Sequence, residues 1–551
     1  MRSRWQYPAP AIVVPGLLCL VLIVAGWFRL SGLTWGLGNG YGHHRSFQPD
    51  EFISLRGILS IDIRSGRLKA PPAYFEGTFN YYLWELPVAV REWLTGRTHR
   101  SVTYTDEEAD FALLSGRLMT VMFDLVTIIV MFLIVKEAGG RAFAGIIAAF
   151  LYSVIPMQVI YAHFMRTHVL SNLLCALVIW LSLRAIKHPA WWRYFVVGTL
   201  SGLGAATRYP VGIIVSIPCL LLLFHLAAAC SAGTVSSWTT RIRSAINSLA
   251  AGPIWWLALG AIVGLFIGDP YLFIDPTGVY HAISYETFKY VPGNAGKLFD
   301  LLPLWNYVSV LIPYAMFPLV WLASYGATAY LCFRRDLCRV AIPLLIFMLL
   351  YTYPMSKGYL GMFARQVMLL FPAFSAFIAL SLDKLWQHQR KTKPLFFAAV
   401  IIFILLLVPS ILFDWAYVRA MEREDVRVTL RNDLRAAIGN ARVKINVSPT
   451  ALYFYTAMPA ADPLTADHQS VALRDQSVLA DYFIIGFERP LSVSQLTFQV
   501  RNIEASGNFK YVRMYYSAPS IFGKTVDLSR FPPDMIYPFP TILLFRSIGQ
   551  G

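Results

Sequence analysis

The strongest constraint on this chain is its repeated stretches of predominantly apolar residues. Crossing the hydrocarbon core of a bilayer takes about 20 such residues as a helix, and the chain offers about eleven candidates. They lie near residues 11–29, 112–135, 142–160, 169–186, 194–207, 209–228, 252–268, 304–332, 339–354, 366–382 and 395–413. Lipid cannot hydrogen-bond a peptide group, so each span must satisfy its own backbone as an α-helix. The expected fold class is therefore an α-helical polytopic membrane protein. Composition agrees: 57% of residues are hydrophobic and 14% are charged, whereas soluble domains carry about 25% charge. The runs at 194–207 and 209–228 are separated by Arg208-Tyr209-Pro210, which admits two spans or one kinked helix.

The net charge of +16 could suggest nucleic acid, but its distribution argues for a bilayer instead. Lys and Arg concentrate in short loops between apolar runs, as the positive-inside rule requires. With the N-terminus inside, the cytoplasmic loops carry Lys136 and Arg141; Arg184, Lys187 and Arg193; Arg241 and Arg243; Arg334, Arg335 and Arg339; and Lys384, Arg390, Lys391 and Lys393. This assignment needs two spans between 194 and 228. An odd number of spans then puts the C-terminus outside. The opening Arg2-Ser3-Arg4 and the apolar run after it lack a clear small-residue cleavage site, which favours a retained span over a signal peptide. Cys19, Cys175, Cys219, Cys230, Cys332 and Cys338 all fall in spans or cytoplasmic loops. No disulfide framework is expected, and no pair has zinc-ligand spacing.

Two regions then lie outside, and the chain divides into a membrane domain over 1–413 and an extracytoplasmic domain over 414–551. The outer loop of residues 30–111 is too long and apolar for a simple connector. Phe52, Leu55, Ile58, Leu59 and Ile63 recur at helical spacing, and a second interfacial helix is expected over Tyr81–Leu94. Thr105-Asp106-Glu107-Glu108 has capping-box spacing and should open the next span. In the C-terminal region, Glu422–Ile438 predicts an amphipathic helix ended by Gly439, with Val426, Leu430 and Leu434 on one face. Val443–Val447, Asp481–Gly486, Tyr511–Tyr516 and Thr541–Phe545 predict strands, giving a small α/β domain.

Polar residues gather at the outer ends of the spans. Asp50 and Glu51 follow His43, His44 and Arg45 just beyond the first span. An acidic pair at a water–lipid boundary is a functional candidate, although acids after Pro49 also suit a helix start. His163, Arg166 and His168 lie between the third and fourth spans. Arg208 breaks the fifth from the sixth, Asp269-Pro270-Tyr271 follows the seventh, and Lys357 and Arg365 separate the ninth from the tenth. Each has a structural alternative: snorkelling for Arg166 and Lys357, a helix start for His168, a cap for Asp269. Tyr74, Phe75, Phe79, Tyr81 and Tyr82 suit an interfacial aromatic belt better than a sugar platform. Together, carboxylates beside basic groups suit one chemistry. The carboxylate deprotonates an acceptor while Arg, Lys or His holds the phosphate of a lipid-linked donor.

The chain resembles a polytopic GT-C glycosyltransferase of the protein mannosyltransferase and lipid A aminoarabinose transferase branch. The resemblance rests on Phe47-Gln-Pro-Asp-Glu51 in the first outer loop, on Glu76-Gly-Thr-Phe-Asn-Tyr-Tyr-Leu83, and on Ser115-Gly-Arg117 and Gly139-Gly-Arg141 at the second and third spans. Pro156-Met-Gln-Val-Ile-Tyr-Ala-His163 and Gly202-Leu-Gly-Ala-Ala-Thr-Arg-Tyr209 extend it, so that it covers about residues 10–415. No single motif is specific; their order carries the match. The resemblance implies transfer of a sugar from a polyprenyl-phosphate donor to a glycan, lipid or protein acceptor at the outer face of the inner membrane. The mechanism would be inverting, with Asp50 as the base, Glu51 next in line, and Arg208, Lys357, Arg365 and His163 on the leaving phosphate. The family pattern has a second acid where this chain has His168. That puts a two-carboxylate metal site in doubt, so metal is unassigned, and a divalent ion is the one cofactor left open. The competing readings are a flippase for a lipid-linked sugar and a catalytically altered protein of the same fold. A nucleic-acid partner is not expected.

Overall fold

The computed structural model describes residues 13–38, 46–71, 74–96, 105–229, 247, 252–290, 301–357, 363–388, 393–439, 441, 443–447 and 480–548. The helices of the apolar region are α1 (Val13–Leu30), α2 (Glu51–Ser60), α3 (Phe79–Thr95), α4 (Asp106–Glu137), α5 (Ala142–Ser153), α6 (Pro156–Ala162), α7 (Thr167–Lys187), α8 (Trp191–Thr207) and α9 (Ser216–Ala229). They continue as α10 (Pro253–Gly268), α11 (Pro276–Tyr290), α12 (Leu302–Met316), α13 (Pro318–Cys332), α14 (Cys338–Ser356), α15 (Phe371–His388) and α16 (Lys393–Met421). Among the described residues seven helical stretches are long and apolar enough to cross a membrane, or nine if two bent pairs each count as one span. The apolar helix α10 is shorter.

Prolines decide where the apolar runs break. The run expected at 142–160 is bent by 64° between α5 and α6, because Ile155 precedes Pro156 and is pushed to an extended conformation. The run expected as one span at 304–332 is instead two helices meeting at 117°. There Phe317 adopts φ +69° immediately before Pro318. The Arg208-Tyr209-Pro210 break separates α8 from a 3₁₀ turn over Tyr209–Val215 that leads into α9, which is the two-helix reading. The Thr105 capping box forms as expected: Glu108 N donates to Thr105 Oγ1 at 3.3 Å, and Thr105 N to Glu108 Oε2 at 2.8 Å.

The described residues form two compact units. One comprises Met1–Leu30, Gly57–Gly96 and Gly116–Ile411; the other comprises Ser31–Arg56, Arg97–Ser115 and Leu412–Gly551. In the first unit α3 carries apolar residues on both its exposed and its buried face. Leu86, Val90, Trp93 and Leu94 are exposed, whereas Asn80, Tyr81, Trp84, Glu85 and Val88 are buried. A helix with an exposed apolar face suits a lipid boundary, and its buried face mixes aromatic and apolar residues with Asn80 and Glu85.

The second unit contains the four-stranded sheet, in the order β1 (Ile445–Val447), β2 (Tyr482–Phe487), β6 (Thr541–Ser547), β3 (Phe509–Tyr516). β1 and β2 are parallel; β6 runs antiparallel to β2 and β3. Strand alternation gives the sheet two apolar faces. Helix α17 (Val426–Ile438) packs Val426, Leu430, Leu434 and Ile438 on Ile484, Ile542 and Leu544. On the other face lie Phe483, Leu543 and Phe545 with Ile503 of α18 (Val493–Glu504). All four expected strands form. The sequence reading missed α18, although its capping box, Ser492 with Gln495, was visible as a Ser-x-x-Gln pattern. It also missed a hairpin of β4 (Ser520–Ile521) and β5 (Lys524–Thr525).

Candidate active site

In the second unit, Gln48 caps the helix that begins at Glu51. Its side-chain oxygen accepts from the backbone N–H of both Asp50 and Glu51 at 2.7 Å. Ser46 Oγ donates to Glu51 Oε2 and accepts from Gln48 N at 3.1 Å. Glu51 is fully buried while Asp50 is partly exposed, so the two adjacent acids differ in access to a substrate. The loop before them is fastened by Arg427, whose guanidinium lies 4.2 Å from the Phe47 ring centroid and 5.3 Å from that of Trp35. Asp425 holds this guanidinium through both oxygens, at 2.7 and 2.8 Å, and accepts from Trp35 Nε1 at 3.0 Å. A cleft of about 360 Å³ opens beside this anchor, lined by Trp35, Phe47, Arg423, Glu424 and Asp425 among others.

In the first unit, the turn between α6 and α7 presents His163, Arg166 and His168, all buried. His163 Nδ1 bonds the Val159 carbonyl at 2.8 Å. Arg166 Nη2 donates to Glu76 Oε1 at 2.7 Å. Arg365 Nη1 donates to Tyr161 Oη at 3.0 Å, and the Tyr161 ring lies edge-on to His168 at 5.2 Å. Arg208 Nη2 donates to Gln366 Oε1 at 2.8 Å. His168 is within electrostatic reach of Arg208, Arg365 and Arg166, and neither of its ring nitrogens has a hydrogen-bond partner among the described residues. Arg208 is only 7% exposed, and the groups it bonds, the Gln366 amide and the Tyr351 hydroxyl, are neutral. Burying such charge is costly without a counter-ion; Arg166 has one in Glu76.

Polar residues inside the helices hold that turn from both sides. Arg29 of α1 pairs with Asp124 of α4, and Asp124 accepts from Gln158 of α6. Gln158 in turn accepts from Asn172 of α7 at 2.8 Å. Gln158 and Asn172 flank the turn, and Asn172 sits one helical turn beyond His168.

A second cluster surrounds Asp269. Tyr209 Oη lies 2.9 Å from both Asp269 Oδ2 and the Tyr74 carbonyl oxygen, and shares its one proton between them. Thr78 donates to the Gly268 carbonyl at 2.8 Å, and the Tyr74 and Tyr271 rings stack at 5.9 Å. Burial pushes the Asp269 carboxyl above the usual carboxylate range, against the bond from Tyr209. Burial also raises the Tyr82 hydroxyl to about 12.

The expected basic residues Arg166, His168, Arg208 and Arg365 therefore converge, and His163 lies in the same turn. Asp269 and Tyr271 belong to the second cluster. Lys357 caps α14 with its ammonium over the Tyr353 ring, 5.1 Å from the centroid. Asp50 and Glu51 lie in the other unit. His43, His44 and Arg45 lie outside the described residues. Sequence reasoning did not single out Gln48, Gln366 and Tyr209 for roles, and treated Glu76 only as part of a motif. An amide gives no charge signal, and Tyr74 and Tyr209 looked like belt or break residues. Among the described residues no three or more His, Cys, Asp or Glu side chains gather to hold a metal, and the arginines around His168 disfavour a cation there.

The family model for dolichyl-phosphate-mannose-protein mannosyltransferases matches residues 109–246, a segment that includes His163, Arg166, His168 and Arg208. No curated protein sequence matches the chain. Among solved structures, the archaeal oligosaccharyltransferase AglB from Archaeoglobus fulgidus, in complex with an inhibitory peptide and a dolichol-phosphate, superposes with a TM-score of 0.50. That match has 13% identity and covers 86% of this chain and 69% of that one. ArnT from Cupriavidus metallidurans bound to undecaprenyl phosphate gives a TM-score of 0.43 at 14% identity, over 96% and 97% of the two chains. The Saccharomyces cerevisiae Pmt1–Pmt2 complex gives 0.34 at 15% identity, over 48% and 34%. The expected GT-C resemblance is borne out to this extent: the chain shares a fold with AglB, and residues 109–246 match the mannosyltransferase family model.

Proposed function

We propose that this protein transfers a sugar from a polyprenyl-phosphate donor to a glycan, lipid or protein acceptor at the outer face of the inner membrane, with inversion. The observation that supports the reading is the buried basic cluster of Arg208, Arg365, Arg166 and His168, in which Arg208 donates to the neutral Gln366 amide. A phosphate beside a hydrocarbon tail is the anion that a membrane-embedded arginine cluster can take from the bilayer. The family matched over the same segment is described by a dolichyl-phosphate donor, and AglB was solved with a dolichol-phosphate; both support a lipid-phosphate ligand here.

In this reading Asp50 accepts the acceptor hydroxyl proton as that oxygen attacks the anomeric carbon. The bond from that carbon to the phosphate oxygen breaks. The phosphate leaves as an anion already stabilised by the guanidinium groups, so no general acid is needed. Asp50 is preferred over Glu51 because it is partly exposed, while Glu51 is buried against Ser46. The cleft beside Phe47 offers room for an acceptor three residues from the base. Lys357 is a further candidate for contact with the phosphate. The N-terminus is then cytoplasmic and the C-terminal domain extracytoplasmic.

The test uses the purified full chain in nanodiscs, with undecaprenyl phosphate binding and sugar transfer measured separately. Arg208→Met should weaken lipid-phosphate binding by about 10-fold or more, the size of a lost charge-assisted bond. Asp50→Asn should leave binding intact and lower transfer by about 100-fold or more. Full transfer by Asp50→Asn removes Asp50 as the base. Transport of the lipid-linked sugar across the bilayer without any acceptor would favour the flippase reading.

A further inference from the structure

Two buried polar atoms of the Asp269 cluster have no hydrogen-bond partner among the described residues: Asp269 Oδ1 and Tyr74 Oη. Asp269 is fully buried and Tyr74 is 3% exposed. An unpaired buried polar atom is destabilising, and these two are complementary, an acceptor and a donor. Tyr82, Tyr209 and Tyr271 are half-buried and carry the cluster out toward the surface. A carboxylate oxygen would repel a phosphate, so this cluster does not extend the basic cluster. A carboxylate, a phenol hydroxyl and stacked aromatic rings suit a group that presents hydroxyls and an apolar C–H face.

We infer that Asp269 Oδ1 and Tyr74 Oη, framed by Tyr82, Tyr209 and Tyr271, form a subsite that binds hydroxyls of the donor's sugar; this rests on the lipid-phosphate reading above. Chain connectivity supports the placement. Arg208 belongs to the basic cluster and the next residue, Tyr209, to this one. Glu76 also touches both, its carboxylate on Arg166 at 2.7 Å and its carbonyl accepting from Tyr209 N at 3.2 Å. A glycosyl phosphate has the same arrangement, with the sugar bonded directly to the phosphate. Asp269 accepts one sugar hydroxyl and Tyr74 donates to another.

Tyr74→Phe is the sharpest variant. It removes only the unpartnered hydroxyl and keeps the carbonyl that accepts from Tyr209. The probes are undecaprenyl phosphate and its mannosyl, glucosyl, galactosyl and arabinosyl derivatives, bound to the full chain in nanodiscs. Wild type should bind at least one glycosylated lipid more tightly than the bare lipid. Tyr74→Phe should weaken that lipid by about tenfold, leave the bare lipid unchanged and leave thermal stability unchanged or raised. Asp269→Asn, which keeps an oxygen or nitrogen for Tyr209, should show the same selective loss. The subsite is overturned if Tyr74→Phe changes affinity for the glycosylated lipid by less than twofold, if it weakens both lipids equally, or if wild type does not prefer any glycosylated lipid. Failure of wild type to bind either kind of lipid is a different result, and it overturns the lipid-phosphate reading together with the subsite.

Discussion

Glu85 shows how burial alone can set a residue's charge. Neither of its carboxyl oxygens has a hydrogen-bond partner among the described residues. Burial, followed by the charges of Glu92 and Asp62, raises its pKa to about 9. A carboxyl raised in the folded state binds its proton more tightly there than in the unfolded chain. Its stabilising contribution is fully present below the ordinary carboxyl range and is lost as pH rises toward 9. Melting temperature in detergent should therefore fall between pH 5 and pH 9 in wild type, and Glu85→Gln should flatten that slope. Parallel pH curves for the two proteins would refute the assignment. Residue identity alone could not reveal this. Glu85 reads as an ordinary helix acid, and only the packing of α3, which buries it beside Tyr81, Trp84 and Val88, makes it a buried one. Asp50 and Glu51 are the converse case, since their pairing was legible in the chain, but only the Gln48 and Ser46 contacts separate an accessible acid from a buried one.

Between elements, the position of the site depends on how closely α8 and α10 approach. A Cβ on Gly198 would meet the Leu257 carbonyl oxygen, and one on Gly202 that of Ala261. From the other side, Gly260 faces the Phe195 oxygen and Gly264 the Thr199 oxygen. Two interlocked small-xxx-small patterns let the backbones touch, as membrane helices require. The two helices run in the same direction, and Arg208 and Asp269 follow their last residues, so this crossing places a member of each polar cluster. Gly264→Ala should cost about 1–3 kcal/mol by overpacking and should weaken lipid-phosphate binding as well. Gly326→Ala is the control: its Cβ would enter open space, and it should be neutral or slightly stabilising. Equal behaviour of the two variants would show that the crossing does not control the site. The spacing of these glycines was present in the sequence, but which two helices share them depends on packing.

Across the whole helical region, the Arg29–Asp124 pair links α1 to α4 and, through Gln158 and Asn172, to α6 and α7. Removing one partner of a buried ion pair leaves a charge with nowhere to go. Arg29→Met should cost about 3–5 kcal/mol of stability, and adding Asp124→Leu should recover much of that. Additive losses, measured by denaturant unfolding in mixed micelles, would show that the pair is not coupled.

The sequence by itself determined a helical membrane fold, the break at Arg208-Tyr209-Pro210, the strand segments of the C-terminal domain and the candidate residues at the span ends. These follow from local rules: the length of an apolar run, the backbone limits around proline, the alternation of a strand, and the preference of charges for interfaces. The tertiary structure decided which candidates meet. It gathered Arg166, Arg208, Arg365 and His168, placed Asp269 among tyrosines, and split 304–332 at Phe317 into two helices. Those outcomes depend on contacts between residues far apart in the chain, such as Arg208 with Gln366 and Arg166 with Glu76. Only packing brings such pairs together, because no local periodicity encodes them.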